Sequence, residues 1–148
     1  MWDFGTWSND WILGLTLTVA TVIVHVLGLG LIGRVDRVMT NFERRLRRSL
    51  FRMVLVGAPT VALVFCLHAF EAILWAVSYV TVGALPDFRA AVLYSLGAMS
   101  TYGNAHIYLE AEWQALGAIQ ALNGMIIFGL TVGFLASIIR RSQNTKSM

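Results

Sequence analysis

Three long apolar stretches dominate the chain, separated by one arginine-rich segment and one mixed segment. Trp11 to Gly33 carries no Asp, Glu, Lys or Arg and has the length that crosses a ~30 Å hydrocarbon core at ~1.5 Å per residue. Met53 to Leu85 is a second such stretch, interrupted only by His68 and Glu71, and Trp113 to Ile139 is a third. Each exceeds the minimum span, which predicts tilt or extension past the membrane surface.

The segment from Pro86 to Glu112 differs in kind. Pro86 suits the first turn of a helix, because its missing N–H would go unpaired there and its φ is already helical. Asp87 stands near the positive end of the helix dipole, and the residues to about Ser100 favour helix. Such a helix is ~20 Å long, too short to cross, and both flanking spans place its ends on one side. It must dip in and return. The pattern therefore predicts an all-α membrane protein with three transmembrane helices and a half-length re-entrant helix between the second and third. Irregular backbone at membrane depth is tolerated only where protein buries it or where it lines a watery cavity, so the return from Thr101 onward is expected to line something.

Charge sets the orientation, because lysine and arginine stay on the cytoplasmic side. Arg34, Arg37, Arg44, Arg45, Arg47, Arg48 and Arg52 fill the first loop, and Arg140, Arg141 and Lys146 follow the last span. The amino-terminal segment has neither lysine nor arginine, and 86–112 has only Arg89. The amino terminus is expected outside and the carboxyl terminus inside. Val35, Val38, Met39, Phe42, Leu46 and Leu50 fall near helical spacing, which predicts a basic amphipathic helix on the cytoplasmic surface. Arg44, Arg45, Arg47 and Arg48 on it offer anionic lipid headgroups ~1 kcal/mol each. A solvated positive-inside loop without lipid specificity is the equal alternative.

Composition agrees: 57% of the 148 residues are hydrophobic and 13% charged, too apolar for a soluble domain of this size. The net charge of +3 sits beside apolar spans, which argues for anionic lipid over nucleic acid as its partner. Cys66 is the single cysteine, so one chain holds no disulfide framework or cysteine metal cluster. Two aspartates and no basic residue precede the first span, the wrong charge for a signal peptide, and that span is expected to be retained. Gly28, Gly30 and Gly33 spell Gly-x-Gly-x-x-Gly without a preceding strand, so helix packing explains them better than a dinucleotide.

The run from Tyr94 to His106, Tyr-Ser-Leu-Gly-Ala-Met-Ser-Thr-Tyr-Gly-Asn-Ala-His, resembles the pore helix and selectivity filter of prokaryotic two-transmembrane, potassium-channel-like ion channels. Their filter reads Thr-x-Gly-Tyr-Gly-Asp. Aligned without gaps, Thr101, Tyr102 and Gly103 fall on its first three positions, and the spacing onward to Trp113 and Asn123-Gly124 fits too. The resemblance covers about Cys66 to Arg141, half the chain. It implies a pore domain at 53–141, with outer helix 53–85, pore helix 86–100, filter 101–106 and inner helix 113–141. Residues 1–52 are then an added amino-terminal segment, first span and basic helix, and 142–148 a cytoplasmic tail. The resemblance further implies a homotetramer around one axis, a bacterial-type plasma membrane, and permeant monovalent cations in place of any cofactor. No hydrolase triad or cysteine cluster suggests an enzyme.

The departures carry chemistry of their own. Where that family has Tyr-Gly-Asp, this chain has Asn104-Ala105-His106. A ladder of carbonyls requires backbone conformations that glycine adopts freely, and a left-handed Ala105 costs about 1–2 kcal/mol per subunit. A relaxed outer filter with weak or unusual selectivity is expected. His106, Glu110 and Glu112 would stand at the outer mouth. Four His106 imidazoles near an axis offer a divalent-metal or proton site, though a lone loop histidine is the plainer reading. Gly124 resembles the family's gating-hinge glycine, and Asn123 faces either the cavity or a neighbouring helix.

Glu71 and His68 lie one turn apart in the second span, where an unpaired carboxylate costs ~2.5–3.5 kcal/mol. They are expected to face protein, Glu71 bonding behind the filter with His68, Tyr94 or Ser100 as support, or acting as a proton-sensing gate. Two rival functions stand beside the cation channel: a non-conducting pore-fold subunit or sensor, and a transporter of protons or small solutes using His68 and Glu71. The last lacks the paired broken helices that such proteins show.

Overall fold

A computed structural model describes the backbone of residues 4–43, 49–103 and 106–144, and side chains within 8–39, 57–103 and 106–141. The described residues form four α-helices and no strand: α1 (Phe4–Glu43), α2 (Ser49–Thr81), α3 (Phe88–Met99) and α4 (Gln114–Asn144), with one 3₁₀ turn, Ala111–Trp113, leading into α4. Ser8–Met39, Gly57–Thr81 and Ala111–Arg141 are long and apolar enough to cross a membrane. α1 and α3 each pack on both α2 and α4, and α2 and α4 touch each other only sparsely. The four helices thus alternate around a common centre.

The distribution of polarity is inverted relative to a soluble protein. Large apolar side chains such as Ile12, Leu27, Val61, Phe65 and Val132 point outward, while Asp10, Thr21, His25, Asp36, Glu71, Gln120, Asn123 and Thr131 are buried. An outward apolar surface suits a hydrocarbon solvent, and polar groups in that solvent must find partners inside the bundle.

Helix boundaries follow local chemistry. α1 runs unbroken through Arg34 to Glu43, so the separate surface helix expected from the spacing of Val35, Val38, Met39 and Phe42 is the last turns of α1 itself. Arg44, Arg45, Arg47 and Arg48, the proposed lipid contacts, lie outside the described residues. α2 stops at Thr81, short of the expected Leu85. Gly83 adopts φ 76°, and the Gly83 and Ala84 N–H groups donate to Val80 and Tyr79 carbonyls at 3.1 and 2.9 Å. This pair of bonds is a Schellman motif, whose left-handed position glycine fills without steric cost. Ala84 and Leu85 then fold back as buried core.

α3 begins at Phe88, with Asp87 as its cap: the Asp87 Oδ1 accepts the Ala90 N–H at 2.8 Å, satisfying a donor the first turn would leave unpaired. Pro86 therefore precedes the helix instead of opening it. From that end α3 descends between α2 and α4 until Met99 is buried with Ala72 and Ile127. Gly124 makes this approach possible, since a Cβ there would collide with the Met99 carbonyl.

Candidate functional site

Two regions hold the residues singled out by the sequence. The first is the return from α3. The Ser100 hydroxyl donates to the Leu96 carbonyl at 2.7 Å and ends the helix. Thr101 follows at φ 57°, a left-handed conformation that costs a β-branched residue about 1–2 kcal/mol. Its N–H donates to the Ala98 carbonyl at 3.1 Å, and the Gly103 N–H, at φ 76°, donates to Gly97 at 3.1 Å. Asn104 and Ala105 lie outside the described residues. Tyr102 is 91% exposed, and His106, Glu110 and Glu112 are exposed as well. Thr101, Gly103, Tyr108 and Ala118 line an open cleft of about 450 Å³ between this return and α4.

The second region is the centre of the bundle. The Glu71 Oε1 pairs with His25 Nδ1 at 2.9 Å, and Oε2 faces His68 Nδ1 at 3.5 Å. On their far sides both imidazoles meet one hydroxyl: the Thr131 Oγ lies 3.1 Å from His25 Nε2 and 3.0 Å from His68 Nε2. His68 also stacks on Phe128 with ring centroids 4.7 Å apart. Glu71 and His25 are fully buried. One helical turn before His25 on α1, the Thr21 hydroxyl accepts the Asn123 amide at 3.0 Å, so Asn123 bonds to a neighbouring helix. α1 is thereby joined to α2 and α4 through side chains that would be costly to expose to lipid.

Support for α3 comes from other residues than Glu71. The Tyr79 hydroxyl donates to Gln120 Oε1 at 2.8 Å, the Gln120 amide donates to the Ser95 hydroxyl, and Ser95 donates to the Ala72 carbonyl at 2.7 Å. This chain crosses α4, α3 and α2 with each buried group used. Tyr94 stands beside this chain, edge-on to Tyr79 at 5.3 Å, with its hydroxyl against Gly117. Glu71 keeps His68 as a neighbour and gains His25, away from Tyr94 and Ser100. Gly124 lies at the contact with α3, within a helix that runs unbroken from Gln114 to Asn144.

His25, Thr131, Tyr79 and Gln120 were not singled out from the sequence. For His25 and Thr131 a signal was present: Thr21 and His25 are one turn apart on α1, and Asn123 and Thr131 are two turns apart on α4. A polar stripe on an otherwise apolar span marks the face that meets other helices.

No protein family, curated protein or solved structure matches this chain. The functional reading rests on its own residues.

Proposed function

We propose that the chain is one subunit of a homotetrameric cation channel of potassium-channel-like pore architecture, weakly or unusually selective, in a bacterial-type plasma membrane with its amino terminus outside. The observation that carries this reading is the depth of the α3 carboxyl end. Met99 is level with Ala72 and packed on Gly124, ten residues into α4, or ~15 Å along it at ~1.5 Å per residue. The backbone beyond it is irregular, with left-handed Thr101 and Gly103. Such backbone at that depth needs a wet cavity or more protein around it, and four copies around one axis supply both.

Three further features fit. The partial negative charge at the α3 carboxyl end favours a cation next to it. Tyr102 and His106 are exposed in the single chain, as groups facing an axis or a neighbouring subunit would be. Ala118, Leu122, Gly129 and Gly133 form an exposed stripe along α4 suited to lining an inner cavity. Ala105 replaces the glycine of the potassium filter, and fewer ordered carbonyl rings weaken selectivity.

The test is ion flux from liposomes holding the purified protein, followed by reversal potentials under potassium and sodium gradients. Flux with little discrimination between the two ions is expected. A strong potassium preference contradicts the weak-selectivity claim, and absence of flux favours the non-conducting subunit.

A further inference from the structure

The ring of His25, Glu71, His68 and Thr131 has an arrangement that helix packing alone does not require. One hydroxyl, Thr131 Oγ, is shared by the Nε2 atoms of both imidazoles. A hydroxyl oxygen has two lone pairs and can accept from both rings at once. With both Nε2 atoms protonated, the two Nδ1 lone pairs turn toward the Glu71 carboxylate, and three acceptors then face one another in a buried space. Two of the atoms concerned, His68 Nδ1 and Glu71 Oε2, are buried without a hydrogen-bond partner. Three acceptors converging in a low-dielectric interior call for a cation among them.

We propose that His25 Nδ1, His68 Nδ1 and Glu71 bind a divalent transition-metal ion of the zinc class within the membrane-spanning bundle. The donor atoms of these three residues lie within 4.8 Å of one another. Ligands bonded to one tetrahedral Zn²⁺ at ~2.0–2.2 Å sit about 3.3 Å apart, and the two histidine–carboxylate separations are 2.9 and 3.5 Å. Those two separations run to different oxygens of Glu71, and with the three donors spread over up to 4.8 Å the side chains must draw together by as much as about 1.5 Å onto the ion. Imidazole nitrogen with one carboxylate selects zinc, nickel or copper over calcium and magnesium, which take oxygen shells. Thr131 completes the design from outside: a histidine that binds metal through one nitrogen fixes its tautomer by donating from the other, and Thr131 serves both rings.

Glu71 offsets one of the ion's two charges. Three protein ligands leave a fourth position, as in zinc sites that exchange a ligand. Of the three ligands only His68 is partly exposed, at 14%, so an exchanging ligand would enter past its ring. The site draws its ligands from α1 and α2 and its outer partner from α4, so bound metal ties the added first span to the rest of the bundle. This inference is independent of conduction.

The test is metal binding by the tag-free full chain in detergent, using Zn²⁺ in competition with a chromophoric chelator and Co²⁺ as the spectroscopic probe. One Co²⁺ per chain with the intense visible bands of low-coordinate cobalt is expected. H25Q, H68Q and E71Q should lower Zn²⁺ affinity by more than T131V, for which loss of the outer partner predicts ~10–100-fold. H106A, in the exposed return, should leave affinity and spectrum unchanged. If E71Q fails to fold, H68Q and T131V still decide. A wild-type chain that retains no stoichiometric metal, a weak octahedral cobalt spectrum, or binding lost in H106A but kept in H25Q overturns the proposal.

Discussion

The centre of the bundle and the return from α3 are built on opposite terms. In the centre, Tyr79, Gln120 and Ser95 satisfy one another inside a single chain, and Glu71 and Thr131 hold His25 and His68 between them. In the return, Tyr102 and His106 point outward, and Thr101 keeps a left-handed conformation that its side chain disfavours. The chain is thus held together at its centre and open at its return. Strain kept at an exposed segment of this kind is a recognised mark of function.

That contrast yields graded expectations. The largest effect is at Glu71: E71A empties a fully buried side-chain site between two imidazoles and, like other large-to-small changes in a core, should cost about 2–5 kcal/mol, read as loss of folded protein on thermal unfolding in detergent. A smaller loss would mean that the centre is less closed than the geometry implies. Next is Gly124→Ala, whose new methyl meets the Met99 carbonyl; overpacking of this sort costs about 1–3 kcal/mol and should displace the end of α3, altering flux together with stability. Ser95→Ala removes the link between Gln120 and Ala72 and should cost about 1 kcal/mol, in the same unfolding assay. The smallest change in stability belongs to H106A, within about 0.5 kcal/mol, while conductance should change. An H106A chain that unfolds readily would erase the distinction between the two regions.

The sequence carried the spans well because a bilayer imposes length and composition together, and both can be counted. It carried α3 because Pro86 and Asp87 punctuate its start, although Asp87 proved to be the cap and Pro86 the residue before it. The arginine-rich segment after the first span misled for a physical reason: an apolar spacing of helical period does not distinguish a new helix from the last turns of an old one. His25 was passed over because a span is recognised by the absence of Asp, Glu, Lys and Arg, and a histidine does not break that count. Its partners lie 46 and 106 residues away, a distance that no local pattern spans. The Gln120 network was missed likewise, since one glutamine in an apolar helix gives no hint of whether it meets Ser95 or lipid.

The claim on which function rests is that the returns of separate chains converge on one axis, and distance measurement by pulsed electron spin resonance reaches it directly. The protein would be spin-labelled at His106→Cys in a Cys66→Ser background and reconstituted in lipid, with wild type labelled at Cys66, exposed on α2, as the peripheral reference. The account predicts two inter-label distances in the ratio of a square's side to its diagonal, both shorter than those from Cys66. An absence of inter-chain distances, or returns farther apart than the Cys66 labels, would contradict it.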